Sequence, residues 1–162
     1  MSKQQIILMI GVSCSGKTTW ATNYIKNNPT YKILSRDNIR EQIFGKEYEQ
    51  NNRNEETVSK IFKETAHILL KNHSLILDNT HLKLSYINDV IEEFGYLANI
   101  TIKIIDSTVI PYRDLCERNN KRKEDSGKFI PWDVLNKQIV NFTNLDLTKL
   151  ENIEPYPKEL NS

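Results

Sequence analysis

The pattern of apolar and polar residues alternates short aliphatic runs with longer segments of helical period. Strands are predicted at residues 5–10, 31–35, 74–78 and 99–106. The first and third of these runs are almost continuously apolar, which is typical of strands buried on both faces of a parallel sheet. The pattern therefore predicts an α/β protein with a parallel core.

Six longer segments carry apolar residues at helical spacing, namely 17–26, 37–44, 55–71, 84–94, 111–122 and 131–142. Gly95 is placed to end the fourth helix, and Pro111 and Pro131 suit first-turn positions. We interpret one stripe in the third helix as core packing rather than as a partner-binding face: Val58, Ile61, Phe62, Ile68 and Leu69.

Two polar segments are expected to lie outside these elements. Residues 45–54 are predicted to form a loop at the edge of a site, and about 144–162, with Pro155 and Pro157, a tail over the surface. No repeat or linker divides the 162 residues, so we expect a single domain over 1–162.

Charge and cysteine content narrow the class of protein. A formal net charge of +1 excludes a protein held to nucleic acid by charge alone, although a local basic groove remains open. No apolar run approaches the length of a membrane span, and no leader is visible. Cys14 and Cys116 have neither metal-ligand spacing nor the density of a disulfide framework. A cytoplasmic protein without membrane contact is therefore expected.

The run GVSCSGKT at residues 11–18 follows the first strand and precedes a helix, which predicts a phosphate-binding P-loop. Its glycines let backbone N–H groups curl around phosphates at the positive end of the helix. Lys17 should reach the β- and γ-phosphates of ATP, and the Thr18 hydroxyl should ligate Mg²⁺. The alternative is a turn that binds nothing. The predicted ATP-binding residues are Gly11, Ser13, Ser15, Gly16, Lys17, Thr18 and Thr19.

A second group of candidate residues, SRDNIR at 35–40, follows the second strand. Ligands of open parallel sheets bind beyond the carboxyl ends of the strands, so this segment should face the P-loop. Asp37 could accept a proton from an attacking hydroxyl, and Arg40 could hold an acceptor phosphate. The alternative is that Ser35 or Asp37 caps a surface helix and that Arg40 is solvated.

The third strand ends in Asp78, Asn79 and Thr80. Asp78 stands where a Walker-B-like carboxylate would hold Mg²⁺ through water, while Asn79 and Thr80 offer hydrogen bonds to substrate. The alternative is a turn that ends a strand. His81 is interpreted as a loop residue, and none of the three histidines is assigned to a metal.

A basic run at 118–123 is the fourth candidate. Arg118 and Arg122 share one helix face, where they could cover a polyphosphate as arginine fingers supplied in cis. The alternative is a solvated helix end that complements the macrodipole. With the polar loop around Gly127, this run predicts an arginine-bearing lid over about 118–130.

These four elements together resemble the kinase domain of phage-type polynucleotide 5′-hydroxyl kinases, in the P-loop kinase superfamily. The resemblance covers about residues 3–142, and its markers are the P-loop with Thr19-Trp20-Ala21, Arg36-Asp37-x-x-Arg40, Asn79-Thr80, and Arg118-Asn119-x-x-Arg122 before Ile130-Pro131-x-Asp133-Val134-Leu135. It implies a P-loop NTPase-type three-layer sandwich with a mostly parallel four-stranded sheet.

By the same resemblance, Asp37 is the general base on a 5′-hydroxyl and Arg40 holds the acceptor's 3′-phosphate. Lys17 and Thr18 serve ATP and Mg²⁺, and Arg122 is the lid arginine. The strand-end carboxylate of the family corresponds either to Asp78 or to the position of Asn79, and the lid segment 123–129 is longer and more acidic than in the family.

The expected activity is transfer of the γ-phosphoryl of ATP to 5′-hydroxyl ends of DNA or RNA, without a 3′-phosphatase domain, because no Asp-x-Asp motif of that type is present. Two alternatives remain at this point. One is a small-molecule kinase acting on a nucleoside, a sugar or another metabolite. The other is a nucleotide-gated binding module.

Overall fold

The protein is described by a computed structural model that covers residues 3–45, 52–150 and 158–160. Its strands are β1 (Gln4–Ile10), β2 (Tyr31–Leu34), β3 (Ser74–Leu77), β4 (Ala98–Ile104) and β5 (Lys158–Glu159). The helices are α1 (Lys17–Asn27), α2 (Arg36–Phe44), α3 (Asn52–Leu69), α4 (Leu84–Phe94), α5 (Tyr112–Ser126) and α6 (Trp132–Asn144). Two 3-10 turns lie at Ser107–Val109 and Leu147–Leu150.

The strands form one parallel sheet in the order β2-β3-β1-β4-β5. Ile6 on β1 is in register with Leu75 on β3 and with Ile100 on β4, so β1 lies at the centre of the sheet. The prediction of four parallel strands is confirmed. Because β1 lies between two parallel neighbours, the segment that follows it emerges at the middle of the carboxyl edge.

The sheet has one more strand than the sequence pattern predicts. β5 is two residues long and pairs with β4, and the Leu160 N–H donates a hydrogen bond of 2.7 Å to the Ile102 carbonyl oxygen. The prediction that residues 144–162 form a tail over the surface is therefore wrong at 158–160. A two-residue strand has no hydrophobic period, because what fixes it is backbone pairing with an existing edge.

Side chains of β1 alternate between two cores, as the period of a strand requires. Ile6, Leu8 and Ile10 pack with residues from α2, α3, α4, α5 and α6. Ile7 and Met9 pack on the opposite face with Ala21 of α1. Helices therefore cover both faces of the sheet, which confirms the predicted three-layer α/β sandwich.

The apolar stripe of α3 is confirmed as core packing for Val58 and Phe62, which are buried. It is wrong for Ile68, which is 64% exposed. The buried row runs through Val58, Phe62, Ala66 and Leu70, and Ile68 is two residues from Ala66, about half a turn around the helix, so its side chain turns away from the sheet.

Two predicted loops differ from the structure. Of the predicted loop at 45–54, residues 46–51 lie outside the described residues, and α3 already begins at Asn52. Helix α5 continues to Ser126 rather than ending at Arg122, because no helix breaker intervenes before Gly127, whose φ of 75° ends it.

None of the helices in the described part of the chain combines the length and the apolar character that a membrane span requires.

Candidate active site

The loop after β1 is held by side chains from distant parts of the chain. Ser107 Oγ accepts a hydrogen bond of 3.3 Å from the Val12 N–H, and Gln138 Oε1 on α6 accepts one of 2.8 Å from the Ser13 N–H. Gly11 is required by close approach, because a Cβ there would lie 3.0 Å from Ser15 Oγ and 3.2 Å from the Ile105 carbonyl oxygen. The loop is therefore fixed before α1 begins.

The backbone of this loop turns through two residues with positive φ, Cys14 at 66° and Gly16 at 105°. Such turns expose successive N–H groups in a concave arrangement that favours anions. Ser15 is 5% exposed, and its buried Oγ has no hydrogen-bond partner among the described residues. A buried hydroxyl without a partner is costly, so this loop fits an oxygen-rich ligand such as a phosphate.

Lys17 is the buried cation of the loop, with 8% of its surface exposed. Its Nζ donates a hydrogen bond of 2.8 Å to the Val12 carbonyl oxygen. Burial lowers the pKa of Lys17, and the charges of Asp78 and Asp37 oppose that shift. The ammonium group therefore lies close to both carboxylates that the sequence predicted for the site.

Thr18 and Asp78 meet between the carboxyl ends of β1 and β3. Thr18 Oγ1 donates a hydrogen bond of 2.7 Å to Asp78 Oδ2. A hydroxyl beside a carboxylate is the donor set that Mg²⁺ takes when phosphates and waters complete its coordination. Among the described residues, no three His, Cys, Asp or Glu side chains form a metal cluster.

Helix α2 presents Asp37 at the edge of the site. Ser35, not Asp37, caps this helix, because Ser35 Oγ accepts the Asn38 N–H at 3.3 Å. The Asp37 side chain lies in the first turn, is 62% exposed and forms an ion pair with Arg40 Nη1. The carboxylate is therefore not used for capping, and it faces the loop that follows β1.

Arg40 is not solvated, because Glu55 on α3 binds it through two hydrogen bonds. Arg40 Nε donates to Glu55 Oε1 at 2.9 Å, and Arg40 Nη2 donates to Glu55 Oε2 at 3.0 Å. Burial would lower the pKa of Arg40, but the hydrogen bonds to Glu55 and the charge of Asp37 outweigh it and raise that pKa. Arg40 is therefore a fixed cation.

Arg36 stands beside this pair. Its Nη2 lies 3.6 Å from Glu55 Oε2 and donates a hydrogen bond of 2.5 Å to Ser59 Oγ, while its guanidinium carbon lies 5.8 Å from the centre of the Phe62 ring. Two guanidinium groups thus converge on the single carboxylate of Glu55.

The residues after β3 connect the P-loop to α2. Asn79 Oδ1 accepts a hydrogen bond of 2.9 Å from the Arg36 N–H, and the Thr80 carbonyl oxygen accepts one of 3.2 Å from the Gly11 N–H. His81 is buried with φ of 50°, and its Nδ1 lies 2.7 Å from the Met9 carbonyl oxygen. Burial lowers the pKa of His81 to about 4, so its ring is neutral at pH 7.

The basic helix α5 lies over the P-loop. Arg118 Nη1 donates a hydrogen bond of 3.1 Å to the Cys14 carbonyl oxygen. Asn119 is fully buried, and its amide group bonds both the N–H of Ile130 at 3.0 Å and its carbonyl oxygen at 2.8 Å. Beyond the helix, Lys128 pairs with Glu41 of α2 at 2.5 Å. The part of the predicted lid that follows α5 is therefore bound to α5 through Asn119 and to α2 through Glu41.

These elements surround two cavities. The larger, of about 1010 Å³, is named the donor cavity after the role proposed for it below, and its lining includes Ser13, Ser15, Gly16, Lys17, Thr18, Thr19, Asp37, Asp78, Asn79, Thr80, Arg118 and Arg122. The smaller, of about 520 Å³, is named the acceptor cavity in the same way, and its lining includes Arg36, Arg40, Glu55, Phe62, His81 and Tyr86. Asn79 and Thr80 line both cavities. Two predicted residues lie outside the donor lining, since Gly11 is buried and Arg40 lines the acceptor cavity.

Sequence reasoning missed five polar residues of this region: Glu41, Glu55, Ser107, Lys128 and Gln138. Each acts through a contact with a distant segment, such as Gln138 with Ser13, 125 positions away. Neither helical period nor turn chemistry encodes such a pairing, so no local signal in the sequence could have found them.

Comparison with known proteins identifies the domain. The family model described as an AAA domain, AAA_33, matches residues 6–145. The chain belongs to this family. As an AAA_33 domain it is a P-loop kinase, which agrees with the predicted P-loop and parallel sheet.

The individual relatives of this AAA_33 domain share about a quarter of its residues. It is 25% identical over 150 residues to heterogeneous nuclear ribonucleoprotein U-like protein 2 of Homo sapiens, covering 86% of this chain and 19% of that protein. A chain of the Pnkp1/Rnl/Hen1 RNA repair complex is similar with a TM-score of 0.78 and 27% identity, over 88% of this chain and 45% of that one. This chain thus spans about a fifth of the length of the ribonucleoprotein and under half of the length of the chain from the repair complex.

A gluconokinase from Sinorhizobium meliloti 1021 shares the fold, with a TM-score of 0.55 and 19% identity over 99% of this chain and 83% of that one. A chain of an RNA repair complex and a gluconokinase therefore share this architecture, and the fold by itself does not select the acceptor.

Proposed function

We propose that this P-loop kinase transfers the γ-phosphoryl group of ATP to the 5′-hydroxyl end of DNA or RNA. The observation that carries the proposal is the contact between Asp37 and Arg40. Asp37 lines the donor cavity, and its ion-pair partner Arg40 lines the acceptor cavity. A base for a hydroxyl and a cation for a phosphate are thus one helical turn apart, which suits a nucleotide acceptor whose hydroxyl and 3′-phosphate are close in space.

On the donor side, the turn through Cys14 and Gly16 presents backbone N–H groups to the phosphates of ATP, and the buried Ser15 hydroxyl gains a partner there. Lys17 then exchanges its bond with the Val12 carbonyl oxygen for the β- and γ-phosphates. Because Lys17 is buried, water screens its charge poorly, and the charge stabilises the transferring phosphoryl group strongly.

Thr18 and Asp78 would hold Mg²⁺, Thr18 directly and Asp78 through water. When bound, Mg²⁺ neutralises charge on the β- and γ-phosphates. The short bond between the two side chains supports this assignment, because both present oxygen atoms to the same point.

On the acceptor side, Asp37 accepts the proton of the attacking 5′-hydroxyl as that oxygen approaches the γ-phosphorus. The Asp37 side chain is 62% exposed and lines the donor cavity, so an attacking hydroxyl can reach its carboxylate oxygens while Arg40 holds the group in place. Arg40 holds the phosphate on the 3′ side and thereby orients the hydroxyl.

Arg118 and Arg122 supply cations from α5 to the lining of the donor cavity. Arg118 already contacts the P-loop at Cys14, and Arg122 lies close enough to Lys17 for its charge to lower the pKa of that lysine. Arg122 is positioned to neutralise charge that develops on the transferred phosphoryl group.

A small-molecule kinase is the second candidate, because a gluconokinase shares the fold of this chain. The two candidates differ in the acceptor. A sugar has no phosphate for Arg40, whereas a nucleic acid end always carries one on the 3′ side of its terminal nucleotide.

The proposal is tested by transfer of labelled phosphate from ATP to a panel of 5′-hydroxyl oligonucleotides of DNA and RNA, with nucleosides, gluconate and other sugars as competitors. We expect labelled oligonucleotides and no inhibition by sugars. Lys17→Ala serves as the inactive control and should keep a normal circular dichroism spectrum. Labelling of a sugar without labelling of any oligonucleotide would contradict the proposal.

A further inference from the structure

Glu55 connects the two helices that frame the acceptor cavity. It lies in the first turn of α3, and its two carboxylate oxygens accept hydrogen bonds of 2.9 and 3.0 Å from Arg40 on α2. The pairing is two-pronged, so it fixes both the position and the plane of the guanidinium group. Arg36 approaches the same carboxylate at 3.6 Å.

The place of Glu55 rules out a role as the base for the attacking hydroxyl. It lines the acceptor cavity and not the donor cavity, and its carboxylate is 24% exposed and engaged by two guanidinium groups. Its influence on phosphate transfer must therefore pass through the arginines that it holds.

We propose that Glu55 is a positioning residue for phosphoryl transfer, because it fixes the guanidinium plane of Arg40 relative to the general base Asp37. This inference rests on the proposed function, in which Arg40 holds the acceptor phosphate. Asp37 binds one nitrogen of Arg40, Nη1, while Glu55 binds the other two, Nε and Nη2. The base and the phosphate-holding cation are thus set at one distance by a third side chain from another helix.

Charge decides which kinetic constant should change. Arg36 and Arg40 carry two positive charges, and Glu55 and Asp37 carry two negative ones, so this group is balanced. Removing the charge of Glu55 leaves an extra positive charge in the cavity, which does not weaken attraction for an anionic acceptor. It does remove the second oxygen acceptor, since the amide of glutamine would place N–H groups against N–H groups of Arg40.

Glu55→Gln should therefore lower kcat by roughly ten- to a hundredfold, since misplacement by about 1 Å costs on the order of a hundredfold. The KM values for ATP and for a 5′-hydroxyl nucleoside 3′-monophosphate should stay within about threefold of wild type. The matched control is Glu56→Gln, because Glu56 is the next residue of α3 and is exposed. The control should retain wild-type kcat.

A double-mutant cycle separates positioning from a structural role. Lysine at position 40 keeps the charge but cannot form the two-pronged pair. In the Arg40→Lys background, Glu55→Gln should lower kcat by less than twofold, because the interaction through which it acts is already gone. Nuclear magnetic resonance of the Arg40 Nε–H group gives a readout independent of activity. Its signal should exchange rapidly with water in Glu55→Gln and slowly in wild type and Glu56→Gln.

Three results would overturn the inference: a Glu55→Gln kcat equal to that of Glu56→Gln, full additivity in the cycle, or an unchanged Arg40 Nε–H signal. If Glu55→Gln fails to fold, the kinetics of Arg40→Lys with the nucleotide acceptor decide the inference instead. An unchanged kcat in Arg40→Lys would overturn the inference, because it would mean that the guanidinium plane at position 40 is unimportant. Absence of transfer by the wild-type protein to every nucleotide acceptor would instead contradict the proposed function.

Discussion

Thr18 and Asp78 are 60 positions apart in the chain, yet Thr18 Oγ1 lies 2.7 Å from Asp78 Oδ2. They meet because β1 and β3 are parallel neighbours, so the residues that follow both strands emerge at the same edge. This contact joins the end of the P-loop to the end of the third strand, at the place where we propose that Mg²⁺ binds.

The first prediction concerns that cation. Asp78→Asn should raise the Mg²⁺ concentration for half-maximal transfer by about ten- to a hundredfold, which is the usual loss when an outer ligand of a metal is changed. The measurement is a Mg²⁺ titration of transfer at saturating ATP, with Asp114→Asn, an exposed residue of α5, as the control. An unchanged Mg²⁺ requirement would assign Asp78 to another task.

The second prediction concerns the general base. Asp37→Asn should lower kcat by ~10²–10⁴-fold, because the amide keeps the shape of the side chain and loses its basicity. The KM for ATP should stay within about threefold, because a general base acts on the acceptor hydroxyl and not on ATP. Steady-state kinetics with both substrates checks this. Weaker ATP binding with normal turnover would place Asp37 in the nucleotide site instead.

Much of the donor cavity could be predicted because its residues follow strands directly. The P-loop, Asp37 and Asp78 each stand within a few residues of a strand end, and a parallel sheet brings such positions together whatever the rest of the chain does. The sequence order of strands and helices therefore carried the information about which segments meet.

The acceptor cavity could not be predicted in the same way. The sequence predicts that Arg40 either holds an acceptor phosphate or is solvated, but Arg40 is held by Glu55, which lies 15 positions away on a different helix. The two helices pack because of apolar residues such as Ile39 and Val58, so the ion pair depends on tertiary packing. Likewise, β5 depends on backbone pairing that leaves no periodic signal.

The third prediction concerns the segment after α5. Asn119→Ala should lower the free energy of unfolding by about 1–3 kcal/mol, because the Ile130 N–H and carbonyl groups lose their partner. Urea denaturation followed by circular dichroism measures the change. Asn120→Ala is the matched control. Asn120 is the next residue of α5 and is exposed, so its replacement should lower the free energy of unfolding far less. Equal losses in the two variants would mean that Asn119 does not fix this segment.

The fourth prediction is a pH dependence of stability. The pKa of His81 is lowered to about 4 in the folded protein, whereas in the unfolded chain it titrates near its ordinary value of 6.5. As pH falls from about 6.5 to 4 the unfolded state binds the proton first, so the folded state loses up to about 3 kcal/mol from this group.

His81→Asn should remove that part of the slope, and asparagine tolerates the positive φ of the position. The measurement compares the free energy of unfolding of both proteins between pH 4 and pH 7 by denaturant titration. The difference between them should shrink as the pH falls. Two parallel curves would contradict a buried neutral His81.

The central claim is that Arg40 binds the phosphate next to the attacked hydroxyl. The most direct test is the ratio of kcat/KM for a nucleoside 3′-monophosphate to kcat/KM for the plain nucleoside. A charge-assisted contact of ~1.5–3 kcal/mol predicts a ratio of roughly ten to over a hundred in the wild-type protein. The ratio should fall close to one in Arg40→Ala and stay at the wild-type value in Arg113→Ala, whose side chain is 87% exposed on α5. Equal use of both acceptors by the wild-type protein would contradict the account and favour a small-molecule kinase.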